Sequence, residues 1–134
     1  MEIDDCLFIP QELCQNVLFE QKREPSVQLK NLLTHFKDRG TISQAVYDLM
    51  IKVDRKNFIN DEGFHGPYSD MPRPIGWGTT ISAPGVHAVT LEKLIGRLKP
   101  GSKALDIGTG SGYVAACFAE MVGKEGRVYM VDHI

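Results

Sequence analysis

Two acidic residues and three glycines carry the clearest chemical signal in this 134-residue chain. Asp106 precedes Gly108, Gly110 and Gly112 in the stretch KALDIGTGSG, from Lys103 to Gly112. The apolar run Ala104-Leu105-Asp106-Ile107 leads into the glycines, and Val114, Ala115, Phe118, Met121 and Val122 recur at helical spacing after them. Strand, glycine turn, helix is the natural reading. Such a turn lets a ligand approach the main chain, and the helix behind it offers N–H groups at its first turn. A dinucleotide fingerprint would need a third glycine where Tyr113 stands. An acid just before the turn repels pyrophosphate but suits a cationic amino-acid moiety, as in S-adenosylmethionine. Arg127-Val128-Tyr129-Met130-Val131 reads as a second strand, and Asp132 at its end can accept hydrogen bonds from ribose hydroxyls. The bland alternative is an ordinary strand-to-helix loop.

A second stretch, Ile75 to Ala88, gathers the hydroxyls of Thr79, Thr80 and Ser82 and the imidazole of His87 ahead of a helix. Ser82 reads either as a helix N-cap or as a hydroxyl facing a ligand, and pattern alone favours the cap. It is not a serine nucleophile of the G-x-S-x-G kind, and no base is evidently paired with it. His87 reads more readily as a surface or core histidine than as a site residue. His35, His65, His87 and His133 show no metal-ligand spacing, so no metal is expected.

The positioning elements follow from periodicity. Leu29, Leu32, Leu33 and Phe36 predict a helix over 28–38. Thr41 with Gln44 has capping-box spacing and predicts the start of a second helix over about 43–53, burying Val46, Leu49, Met50 and Val53. Residues 60–80, rich in Gly, Pro and aromatics, read as a long loop with a short extended piece at Thr79–Ser82. Pro84 opens a helix expected to run to about residue 98, and Pro100-Gly101 turns into the first strand. A short helix at 10–20 is possible within an N-terminal extension, residues 1–28.

Composition bounds the class. Hydrophobic residues make up 43% and charged residues 24%, a globular balance, and the net charge of −2 argues for neither nucleic acid nor a membrane surface. No apolar run approaches the ~20 residues of a membrane span. No signal peptide is visible, and the odd set Cys6, Cys14 and Cys117 suits reduced thiols in the cytoplasm. The chain stops at Ile134, just past the second strand, so a doubly wound sheet would be incomplete and a truncated chain or a fragment is expected.

These residues together resemble a known family. The TISAP segment (Thr80 to Pro84), the loop LDIGTGSGY (Leu105 to Tyr113) and ACFAEMVG (Ala116 to Gly123) running on to VDHI (Val131 to Ile134) are similar to the N-terminal half of the protein-L-isoaspartate (D-aspartate) O-methyltransferases. The resemblance covers about 29–134. It implies an α/β, Rossmann-like S-adenosylmethionine-dependent methyltransferase fold, incomplete here and preceded by N-terminal helices. It implies methylation of the carboxylate of L-isoaspartyl or D-aspartyl residues in damaged proteins, followed by collapse of the ester to a succinimide, in a protein monomeric when full length. By position, Ser82 matches the active-site serine. Thr79, Thr80, Ile81, Ser82 and His87 match the segment lining the cofactor and substrate site. Asp106, Gly108 and Gly110 match the methionine-binding loop, and Asp132 the ribose-binding acid. The family usually has His where this chain has Gly85. The Gly/Pro/aromatic stretch 63–78 is then expected to form part of a peptide groove. The alternatives are a truncated, non-catalytic binding module and, disfavoured by Tyr113, a nicotinamide-dependent oxidoreductase.

Overall fold

The computed structural model describes residues 25–60 and 66–133. The expected helix at 10–20 lies outside the described residues, as do Cys6, Cys14, Gly63, Phe64, His65 and Ile134.

Helix α1, Val27–Asp38, starts behind Ser26, whose hydroxyl accepts from the Gln28 N–H at 3.2 Å, and buries Leu29, Leu33 and Phe36. Helix α2, Gln44–Lys52, is capped by Ser43 and not by the Thr41 that the capping-box spacing suggested. Ile42 is drawn into the core, so the helix begins only after it, and the Val46 N–H reaches the Ser43 hydroxyl at 3.4 Å. A 3-10 turn, Arg55–Phe58, follows, capped by Asp54. Asp54 also accepts the Tyr68 hydroxyl at 2.9 Å, which ties the following loop down.

The stretch read as one long loop contains a β-hairpin. Strand β1, Arg73–Gly76, pairs antiparallel with β2, Thr79–Ile81. Strands of four and three residues are too short for alternation to register in the sequence. Helix α3, Pro84–Ile95, has proline in its first turn as expected but stops three residues before residue 98. Gly96 follows it, and Leu98 still packs against the core from the ensuing turn.

Strands β3, Lys103–Ile107, and β4, Arg127–Val131, pair in parallel, Lys103 opposite Arg127 and Ile107 opposite Val131. Helix α4, Tyr113–Val122, makes the crossover that parallel pairing requires. One core joins these parts: Leu33, Val46, Leu91 and Cys117 are fully buried within it. Lys52 of α2 pairs with Glu120 of α4, and the Ser43 N–H and hydroxyl both donate to Glu92 of α3 at 2.7 and 2.9 Å. The helical pair α1–α2 is thereby fixed to the helices that carry the glycine loop and the TISAP segment. The other sheet face is open, with Leu105 55% and Ile107 76% exposed beside Tyr129 and Val131.

The crossover is tightest at Gly126, where an added Cβ would lie 2.4 Å from the Val122 side chain and 2.8 Å from the Ser102 carbonyl oxygen. Gly126→Ala is therefore expected to lower stability by about 1–3 kcal/mol through overpacking. Urea denaturation checks this, and an unchanged midpoint would show that β4 and α4 can separate without cost.

Candidate cofactor and acceptor site

The site is built where the TISAP segment meets the glycine loop. Gly108, Gly110 and Gly112 all have positive φ, 76°, 53° and 83°, a backbone path that side-chain-bearing residues rarely adopt. The Gly108 and Thr109 N–H groups both reach the Val131 carbonyl, at 2.8 and 3.3 Å, so the loop is hung from the end of β4. Asp106 accepts the Thr109 hydroxyl at 2.7 Å, and the Asp132 carboxylate accepts the Gly110 N–H at 2.6 Å. Both acids named from the sequence thus bracket one loop. The first turn of α4 has no side-chain cap.

Two cavities flank that loop. One, of about 300 Å³, is lined by Thr80, Ile81, Ser82 and His87 on one side and by Asp106, Gly108 and Gly110 on the other. The second, of about 410 Å³, holds Thr79 and Asp132 and shares Gly110 and Ser111 with the first. Every site residue expected from the sequence lines one of the two. Thr79 also donates its hydroxyl to the Gly76 carbonyl at 2.9 Å, closing the hairpin.

Ser82 is not the cap of α3. The N-cap is Ala83, which has no side chain able to cap, and the Gly85 N–H goes instead to the Asp70 carboxylate at 2.7 Å. Asp70 thereby satisfies a first-turn donor, and Ser82 is left exposed at its cavity. Gly85 permits this approach: a Cβ there would meet both Asp70 carboxylate oxygens at 3.0 Å. The glycine that departs from the resembled pattern is therefore matched to an acid across the loop.

Beneath α3 lies a buried polar cluster that the sequence reading missed. Arg55, 2% exposed, donates to the Pro67 carbonyl at 3.1 Å and meets His87 Nδ1 at 3.3 Å. Guanidinium can only donate, so Nδ1 accepts and His87 is the neutral tautomer protonated at Nε2. Burial, then the charge of Arg55, pushes His87 down to about 4. Burial also lowers Arg55, to about 10, and Asp70 is among the groups that oppose the shift. The His87 ring lies 4.8 Å from Tyr113, which meets Phe58 edge-on at 5.4 Å. Burial raises the Cys117 thiol to about 12, which leaves it unreactive. Asp54 before Arg55 was the one available sequence cue, as a cap; nothing marked Arg55 as buried.

Among the described residues, no group of three or more His, Cys, Asp or Glu could hold a metal, and no helix is long and apolar enough to cross a membrane.

A parallel strand–glycine loop–helix–strand unit, with acids before the loop and after the second strand, defines the nucleoside-cofactor half of an α/β transferase fold. The family model for protein-L-isoaspartate(D-aspartate) O-methyltransferase (PCMT) matches residues 27–134, and the chain belongs to that family. It is 48% identical over 113 residues to a protein-L-isoaspartate O-methyltransferase of Triticum aestivum, covering 83% of this chain and 48% of that one. A Caenorhabditis elegans relative of the same description is 46% identical over 97 residues, covering 72% of this chain and 41% of the relative. Among solved structures, one from Plasmodium falciparum, described as a protein-L-isoaspartate O-methyltransferase in complex with S-adenosyl-L-homocysteine, superposes with a TM-score of 0.70 at 42% identity. That match covers 78% of this chain and 49% of the other. The chain thus spans about half the length of the relatives it matches.

The neutral, buried His87 has a pH signature. Its folded pKa, about 4, lies below the ordinary 6.5, so between those values the unfolded chain binds a proton that the folded chain does not. Stability is then present above 6.5 and lost as pH falls toward 4. His87→Gln removes this dependence. The stability of the native chain relative to the variant is expected to fall by up to about 3 kcal/mol across that window. Urea titrations at stepped pH check it, and a constant difference would mean that His87 stays solvated.

Proposed function

We propose that the protein containing this chain is an S-adenosylmethionine-dependent methyltransferase acting on the carboxylates of L-isoaspartyl and D-aspartyl residues in damaged proteins, in the cytoplasm and as a monomer. The observation that carries this reading is the pair of cavities joined at Gly110 and Ser111, with Asp106 in one and Asp132 in the other. The donor set fits the cofactor. Asp106 suits its ammonium group and Asp132 its ribose diol, while the bare main chain at Gly108, where a Cβ would meet nothing within 4 Å, admits close approach.

When bound, the cofactor supplies an electrophilic methyl group on a sulfonium, which leaves readily. The chain's own part is positioning. An acceptor carboxylate is ionised at neutral pH and needs no base. The Ser82 hydroxyl, exposed at the cavity, donates a hydrogen bond that orients this carboxylate and is not itself a nucleophile. Holding the reacting atoms in line can supply ~7–11 kcal/mol of the barrier. His87 would add no positive charge to the cavity, because burial, and then the charge of Arg55, keeps it neutral.

Calorimetric titration with S-adenosylhomocysteine tests the reading. The chain is expected to bind it and to ignore NADH. Asp106→Asn should weaken binding roughly tenfold to a hundredfold, as loss of a charge-assisted contact does. With a longer chain containing this sequence, Ser82→Ala should lower kcat on an isoaspartyl peptide more than it raises the KM for S-adenosylmethionine. No binding by either chain would remove the methyltransferase reading.

A further inference from the structure

The hairpin tip presents a residue that the fold alone does not call for. Trp77 is the only non-glycine residue with positive φ among the described residues, at 53°, between Gly76 at 95° and Gly78 at 72°. A bulky side chain in this region is strained, by about 1–3 kcal/mol, whereas glycine or asparagine would make the same turn more cheaply. The ring is also 87% exposed, so no core packing offsets the strain. Trp77 nevertheless lines a cavity, and it is the one that holds Asp132, not the one that holds Ser82.

We propose that Trp77 is an affinity-determining residue whose indole stacks on the purine base of the nucleoside cofactor. The inference rests on the methyltransferase reading and adds to it a wall for the base. Three features of the cavity agree. Asp132 offers a carboxylate to a diol, and Asn57 and Asn60 offer both donors and acceptors to the edge of a base. Trp77 offers a flat aromatic face, the sequence-tolerant partner of a base's π-surface. Trp77 shares its cavity with Asp132 and not with Ser82, so the aromatic tip is assigned to the nucleoside and not to the peptide groove expected of its stretch.

The chain contains a single tryptophan, so its emission reports on this position alone. S-adenosylhomocysteine and adenosine are each expected to change Trp77 emission saturably, with the dissociation constants found by calorimetry. Homocysteine and an isoaspartyl peptide should leave it unchanged. Trp77→Gly adopts the left-handed turn freely, so its Tm should stay the same or rise while its affinity for S-adenosylhomocysteine falls roughly tenfold. Trp77→Phe should retain most of the affinity. If the native chain binds S-adenosylhomocysteine by calorimetry with no change in emission, or if Trp77→Gly binds as tightly as the native chain, the stacking role is overturned and the methyltransferase reading stands. An emission change with peptide alone would return Trp77 to the acceptor. Failure of both this chain and the longer one to bind S-adenosylhomocysteine would remove both readings.

Discussion

Two parallel strands cannot be joined by a tight turn; the chain must leave one at its carboxyl end and return to the start of the next. Here the exit is the glycine loop and the return is α4. The register that sets Ile107 opposite Val131 brings the ends of β3 and β4 to the same level. The Val131 carbonyl then holds two loop N–H groups, and Asp132, next in sequence, takes a third from Gly110. A slip of one residue in that pairing would move Asp132 away from the loop and turn the buried Ala104 outward. The site therefore depends on strand register before it depends on any single side chain.

The second support is indirect. The first turn of α3 needs an acceptor, and the nearest hydroxyl in sequence is Ser82. Asp70 supplies the acceptor from across the loop, and Gly85 leaves room for its carboxylate, which a Cβ there would crowd at 3.0 Å. Arg55 beneath it holds the Pro67 carbonyl and His87, so one buried cation pins both the loop before the hairpin and the helix after it. Ser82 is thereby released from a structural duty and left beside Asp106 and the loop.

Local signals explain what the sequence made legible. The strand–glycine–helix unit, α1, α2 and the start of α3 at Pro84 each rest on periodicity or on a residue with a strong backbone preference, and each formed within a few residues of expectation. The positions of Asp106 and Asp132 beside the loop follow from the same logic, since each stands at or next to a strand end. The extended piece expected at Thr79–Ser82 is β2, but its pairing with Arg73–Gly76 was missed because strands this short show no clear alternation. Arg55 and Asp70 were missed for a different reason. Their partners, His87 at 32 residues and Gly85 at 15 residues along the chain, are brought to them only by tertiary packing. Ser82 was assigned to the cap because a hydroxyl before a proline-led helix is usually one, and nothing local announces that a distant acid has taken the role.

Charge divides the site into two sides. In the methyltransferase reading, the acceptor is an anion, while Asp106 and Asp132 are anions already committed to the cofactor. A carboxylate approaching past either acid would be repelled, and more strongly in a cavity than in open water. The surface left to it is the TISAP side, where Thr80, Ser82 and Thr90 present neutral hydroxyls. His87 is neutral there as well, because its ring is buried against Tyr113 and its Nδ1 faces Arg55. A protonated His87 would attract the acceptor but repel the sulfonium it must meet. Burial resolves that conflict with help from Arg55: desolvation suppresses protonation of the imidazole, and Arg55 behind it adds to this while donating to the Pro67 carbonyl.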